Sequence, residues 1–383
     1  MALHFTAEEI ETRRQALIGR MRAAGIDGLL MFRQESMFWL TGYDTFGYVF
    51  FQCLVLTADG RVALITRAPD LRQAQNTSNI EDIRIWVDRD DASPADALRD
   101  LLDELGLSGA RLGVEYEAYG LTGRNALRLN AALQDFAVLE DCSEMVSELR
   151  LVKSPGEIEY VRKAARLADD ALEAAWELAH PGADEAEILA AMQGAVLRGG
   201  GDYPGNEFII GSGRNALLCR YFSGRRRLDV EDQLTLEFAG VYRHYHSAMM
   251  RTIPIGRALP EHATMHGVCA EALAACAETL VPGRPLGEVF DAHARVLDEA
   301  GYARARLNAC GYSLGTTFAP NWMDWPMLYH GNPVLVVPGQ VFFMHMILMD
   351  SDRGQAMTLG ETFLVTEAGN ERLGRLTTEP VTG

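Results

Sequence analysis

At Ser154-Pro155, with Glu157 three residues beyond the serine, the texture of this 383-residue chain changes. Such a start satisfies backbone amides reciprocally: the serine hydroxyl accepts from the third helical amide, and the glutamate reaches back to the serine's own. The following EIEYVRKAARLADDALEAAWEL carries an apolar stripe at helical spacing for about six turns. Before this point the chain alternates. A capped helix runs from Thr6 and Glu9 to Gly25, followed by strand-like DGLLMF, FQCLVLT and RVALIT, with ADG as a hairpin turn between the last two. SPADALRDLLDELGL reads as a helix, RLGVEY as a strand and residues 122–133 as a helix, the pattern of an α/β domain. Beyond the boundary, helices over 260–280 and 286–300 accompany strand-like runs that include QVFFMHMILM and ETFLVTE. Helices gathered against one mostly antiparallel sheet make an α+β domain. The expected domains are 1–145 and 146–383.

Composition narrows the class. With 35 basic and 53 acidic residues the net charge is −18, which argues against a phosphate-binding surface and for a small-molecule substrate rather than nucleic acid. Arg225–Arg227 is too short a basic run to change that and reads as a solvated turn. Six scattered cysteines without a CxxC pair do not form a disulfide framework. No apolar run of membrane-spanning length occurs, and the N-terminus turns charged at once. The expectation is a cytoplasmic protein without membrane association. His262 and His266 stand four apart beside Glu261 but lack the order of a helical metal pair. GSGRNA at 211–216 lacks the spacing of a nucleotide loop.

The densest chemistry lies in EFAGVYRHYHSAMMRT, residues 237–252. Glu237 sits on an otherwise apolar strand, where a carboxylate is costly to bury unless it binds something. It reads as a substrate anchor or base, with a structural ion pair to Arg251 as the alternative. His244 and His246, two apart on a strand, share a face.

LRLVKSPGEIEYVRKAARLAD resembles the opening helix of the pita-bread hydrolases, the peptidase M24 family of creatinase and prolidase. MFWLTGYD at 37–44 is similar to a segment of the creatinase-type N-terminal domain. The resemblance implies a pita-bread catalytic domain preceded by a smaller α/β domain, and a homodimer with Trp39 or Tyr43 near the partner's pocket. Peptidases of the family hold two metal ions with Asp, Asp, His, Glu and Glu. By the resemblance those positions fall on Glu237, Ala248, Tyr312, His345 and Gly360, with Glu361 one step later. A dinuclear cage cannot be built from these, so no metal and no other cofactor is expected.

AGVYRHYH, GGDYP at 200–204 and CGYSLG resemble the family's metal-free branch, which includes ectoine hydrolase and creatinase. Both split a C–N bond at an amidinium-type carbon of a small zwitterion. The resemblance thus implies a metal-independent hydrolase of an ectoine-like or creatine-like substrate. An Xaa-Pro dipeptidase and an inactive binding module are the alternatives. The catalytic candidates are Glu237, His246, His345, Glu361 and Tyr312, with His246 favoured as base by the resemblance. The binding candidates are Arg220, His244, Trp322, Asp324, Trp325 and Tyr43. Arg220 is a carboxylate clamp or a partner of Glu207. The two tryptophans are a cation-stacking wall or ordinary core.

Overall fold

Ser154 behaves as its sequence context requires: its hydroxyl accepts from the Glu157 amide at 3.2 Å, and the Glu157 carboxylate accepts from the Ser154 amide at 2.8 Å. The helix Pro155–Leu178 begins there. The structure, a computed structural model, describes residues 3–220 and 224–383. The chain divides into two units, Met1–Arg150 and Leu151–Gly383.

The first unit holds a six-stranded sheet of β1 (Gly28–Met31), β2 (Cys53–Thr57), β3 (Val62–Arg67), β4 (Asp82–Trp86), β5 (Arg111–Val114) and β6 (Val138–Asp141), in the order β4-β3-β2-β1-β5-β6. The expected hairpin joins β2 to β3. Leu30 and Val55 enter one apolar cluster, while their neighbours Leu29 and Leu54 enter another. Both faces of the sheet are therefore covered, which is why these strands read as unbroken apolar runs. Residues 37–41 of the segment expected near a partner's pocket belong to the helix Gln34–Thr41, and Tyr43 lies just beyond its end. Trp39 is 4% exposed and Tyr43 is fully buried, its hydroxyl donating to Gln52 at 3.2 Å. Burial in the unit's own core removes both side chains from the surface, so the expectation that they edge a pocket is corrected.

The second unit adds β7 (Ile209–Ser212), β8 (Asp232–Tyr242), β9 (Tyr245–Ile255), β10 (Gly311–Ser313), β11 (Asp324–Met327), β12 (Val341–Asp350), β13 (Gln355–Thr366) and β14 (Gly369–Arg372). The order is β11-β10-β12-β13-β9-β8-β7, with β14 on β13, and each of these adjacent pairs is antiparallel. Helices cover one face. Gly240 on β8 lies so close to the backbone of Ala164 and Ala168 in the helix Pro155–Leu178 that a Cβ there would overlap it. Met344, Met346 and Leu348 of β12 pack with Cys269 and Cys276 of the helix Pro260–Thr279 and Val289 of the helix Leu286–Glu299. This is the expected α+β arrangement. No helix among the described residues is long and apolar enough to cross a membrane.

Candidate active site

Strand register builds the other face of this sheet. Glu237 on β8 pairs with Met250 on β9, Met250 with Gly360 on β13, and Gly360 with His345 on β12. Directly opposed residues of antiparallel strands point the same way, so these four form one row on one face. Tyr312 on β10 pairs with Phe343, two residues from His345 and hence on the same face. Flat, the path from β8 to β10 would span about 19 Å at 4.7–4.9 Å per strand. Yet the Tyr312 hydroxyl lies 3.3 Å from Glu237 Oε1. The sheet therefore curls into a trough, and these two side chains meet across it.

Around that contact the groups are few and strongly perturbed. Glu237 is half-buried, and burial pushes its carboxyl up to about 7, against the opposing pull of the Arg220 guanidinium and the Tyr312 hydroxyl. Burial, reinforced by Glu237, pushes the Tyr312 phenol well above its ordinary value, so it stays protonated. The Trp322 indole N–H donates to the Tyr312 oxygen at 2.8 Å. Rings of Tyr312, Phe343 and His345 lie with centroids 5.4–5.7 Å apart. Burial, then the nearby His293, hold His345 neutral, its pKa pulled down to about 3. Its Nδ1 is buried without a hydrogen-bond partner among the described residues. Arg220 is exposed, acts on Glu237, Tyr312 and His345, and makes no ion pair with Glu207 among the described residues. The structure thus brings together Glu237, Tyr312, His345 and Arg220.

His246 has another task. Its Nδ1 lies 2.8 Å from the His244 carbonyl oxygen and must carry the proton, while its Nε2 accepts from the Gly205 amide at 2.9 Å. Both ring nitrogens are committed to backbone, and burial holds the ring neutral, its pKa pulled down to about 3. With no lone pair left for water, the reading of His246 as base is corrected to that of a backbone tie. It secures a two-residue turn, Arg243-His244, between the paired Tyr242 and Tyr245. Both turn residues have positive φ, 50° and 64°, which costs a non-glycine residue about 1–2 kcal/mol. The His244 carbonyl also accepts from the Thr317 amide at 3.1 Å, and its ring stacks on Phe318 at 4.2 Å. The structure thus shows His244 as a turn residue whose ring packs on Phe318.

The pleat corrects Glu361. Gly360 is in the trough row, so Glu361, one step on, points to the helix-covered face. There it is fully buried against the Arg251 guanidinium, with Arg372 at 3.8 Å. The ion pair considered for Glu237 is Glu361's. Trp322 is 1% exposed and spends its N–H on Tyr312, which places it behind the site rather than as a stacking wall. Trp325 packs against the core cluster under the helices. Asp324, the first residue of β11, accepts from the Trp325 amide at 2.9 Å.

Three groups near the trough escaped the sequence reading. Burial, and then the Glu237 carboxylate, raise the thiol pKa of Cys219; its place beside Arg220 in the chain was the available signal. Thr317 approaches His246 Nδ1 at 3.0 Å, and the ring of Phe343 lies over Gly360. Nothing local in the sequence marks either one.

The residues do not fit a dinuclear metal centre. Ala248 and Gly360 offer no ligand atom, and Tyr312 is a protonated phenol engaged by Trp322 and Glu237. The space above Gly360 is filled: a Cβ there would meet the Phe343 ring at 2.7 Å and the Met250 Cβ at 3.1 Å. Among the described residues no three His, Cys, Asp or Glu side chains converge as ligands would.

Comparison with known proteins agrees with the fold. A model of metallopeptidase family M24 matches residues 159–367, and one of the creatinase/prolidase N-terminal domain matches residues 13–152. Ectoine hydrolase of Halomonas elongata is 27% identical over 390 residues, covering 97% of each chain. Xaa-Pro dipeptidase of Pyrococcus furiosus is 25% identical over 241 residues, 63% of this chain and 67% of that one. The solved structure of prolidase from Thermococcus sibiricus is similar at a TM-score of 0.88 with 20% identity, covering 99% of this chain and 100% of that one. At that identity the likeness speaks for the fold alone.

Proposed function

The chain belongs to metallopeptidase family M24, whose relatives are hydrolases of C–N bonds, and from that premise we propose that it hydrolyses an amidinium or guanidinium carbon of a small zwitterion without a metal ion. One observation carries the reading. The row that would need further carboxylates has only Glu237, a carboxyl poised near neutrality and opposed by a fixed phenol. A general base works best with a pKa near the operating pH. An amidinium carbon is already electrophilic, so it needs a carboxylate and an activated water more than it needs a Lewis acid.

In this mechanism Glu237 faces the cationic centre and takes a proton from water as the water oxygen bonds to carbon. The tetrahedral adduct collapses as the C–N bond breaks: the proton passes from Glu237 to the leaving nitrogen, and the hydroxyl proton on the new carbonyl oxygen then passes through Glu237 to the released amine. His345, neutral throughout, supplies a hydrogen bond rather than a proton. Arg220 grips the substrate carboxylate through a bidentate fork. Likeness to ectoine hydrolase across nearly the full chain supports this substrate class.

The test is a panel of cyclic amidines, guanidino acids and Xaa-Pro dipeptides, assayed with and without chelator on protein of measured metal content. Turnover of an amidine or guanidino acid that survives chelation is expected. Chelator-sensitive cleavage of Xaa-Pro dipeptides alone would overturn the reading.

A further inference from the structure

We infer that Trp322 is a positioning residue that commits the Tyr312 proton to Glu237, leaving Glu237 Oε2 to meet the substrate; its kinetic consequences rest on the function proposed above. An indole N–H can only donate, so the contact of 2.8 Å makes the Tyr312 oxygen an acceptor toward Trp322. A phenol has one proton. The acceptor it meets is Glu237 Oε1 at 3.3 Å. Burial keeps the phenol protonated, so the direction of the chain does not reverse. Trp322 is itself locked: it is 1% exposed, its carbonyl accepts from the Thr317 hydroxyl at 3.4 Å, and Thr317 in turn reaches the His246 ring.

The direction has a chemical consequence. A phenol free to rotate could accept from substrate or water, whereas a phenol held from behind can only donate forward. Glu237 Oε1 is then occupied, which separates the two carboxylate oxygens into a held one and a working one.

The experiment replaces Trp322 with benzothienylalanine, which keeps the shape and removes the N–H, alongside Trp322→Phe, Tyr312→Phe, Glu237→Gln and, to remove the acceptor altogether, Glu237→Ala. Isotope-edited infrared spectroscopy reads the Tyr312 C–O stretch, on which accepting and donating act in opposite directions. The band is expected to shift with the isostere and to shift the opposite way in Glu237→Ala. On the substrate found by the panel, the isostere is expected to lower kcat about three- to tenfold with little change in KM, and to add nothing to Tyr312→Phe. An unmoved band, or losses that simply add, would overturn the inference. The infrared result does not depend on turnover. Failure of the catalytic reading, seen as full activity in Glu237→Gln, is therefore separable from failure of the Trp322 assignment.

Discussion

The Tyr312 hydroxyl meets Glu237 Oε1 at 3.3 Å although β10 and β8 stand at opposite ends of a five-strand path. That contact measures the curl of the sheet, and it places the Glu237 carboxyl beside a phenol and within the field of Arg220. Its consequences are testable.

Glu237→Gln should lower turnover by at least about a hundredfold, since a charge aimed at the transition state is worth roughly 3 kcal/mol or more. It should not unfold the protein, because the change removes a group whose ionisation opposes burial. Burial raises the folded-state pKa to about 7 from an ordinary value of 4.5. Native protein therefore binds more protons than unfolded protein between those limits, and wild-type stability falls as pH rises through them. Chemical denaturation across pH should show Glu237→Gln gaining on wild type over that window and holding its lead above it.

The same carboxyl sets the pH profile. As a base Glu237 must be ionised, so kcat/KM should rise through about pH 7 and level off above it. His345, held near 3, does not titrate there. His345→Gln should lower activity yet leave the midpoint of the rise in place. A midpoint that disappears in His345→Gln would transfer the role of base to the histidine.

Arg220→Ala should raise KM about tenfold or more and lower kcat much less, as loss of a carboxylate fork weakens binding throughout the reaction. Because the guanidinium pulls the Glu237 pKa down, its removal should move the rise in kcat/KM to higher pH. A lower midpoint in Arg220→Ala, measured on the same substrate, would contradict the geometry.

Glu361 is the control on the other face. Glu361→Ala leaves the buried Arg251 guanidinium without its carboxylate, a change that costs about 3–5 kcal/mol of stability. Equilibrium unfolding should show that loss, while kcat of the folded fraction stays near wild type. Severe loss of kcat at full stability would return Glu361 to the site.

Much of this was legible locally. Capping at Ser154, the helical stripe beyond it and the unbroken apolar strands of the first unit depend on neighbours within a few residues, and sequence carries those directly. Glu237 stood out for the same reason: a carboxylate on an apolar strand is conspicuous wherever the strand ends up. What tertiary structure alone decided was partnership. Whether Gly360 or Glu361 faces the trough is a matter of one residue of register, fixed by pairing with His345 across the β12–β13 turn and with Met250 far along the chain. His246 looked like a base because a strand position does not reveal that the amide of Gly205 will occupy its Nε2. Trp322 looked like a wall because nothing near it in sequence tells that its N–H will find Tyr312. Residue type sets which hydrogen bonds and charges a side chain can offer; only the folded chain decides which groups remain to take them, because each buried polar atom must be satisfied by whatever the fold brings within reach.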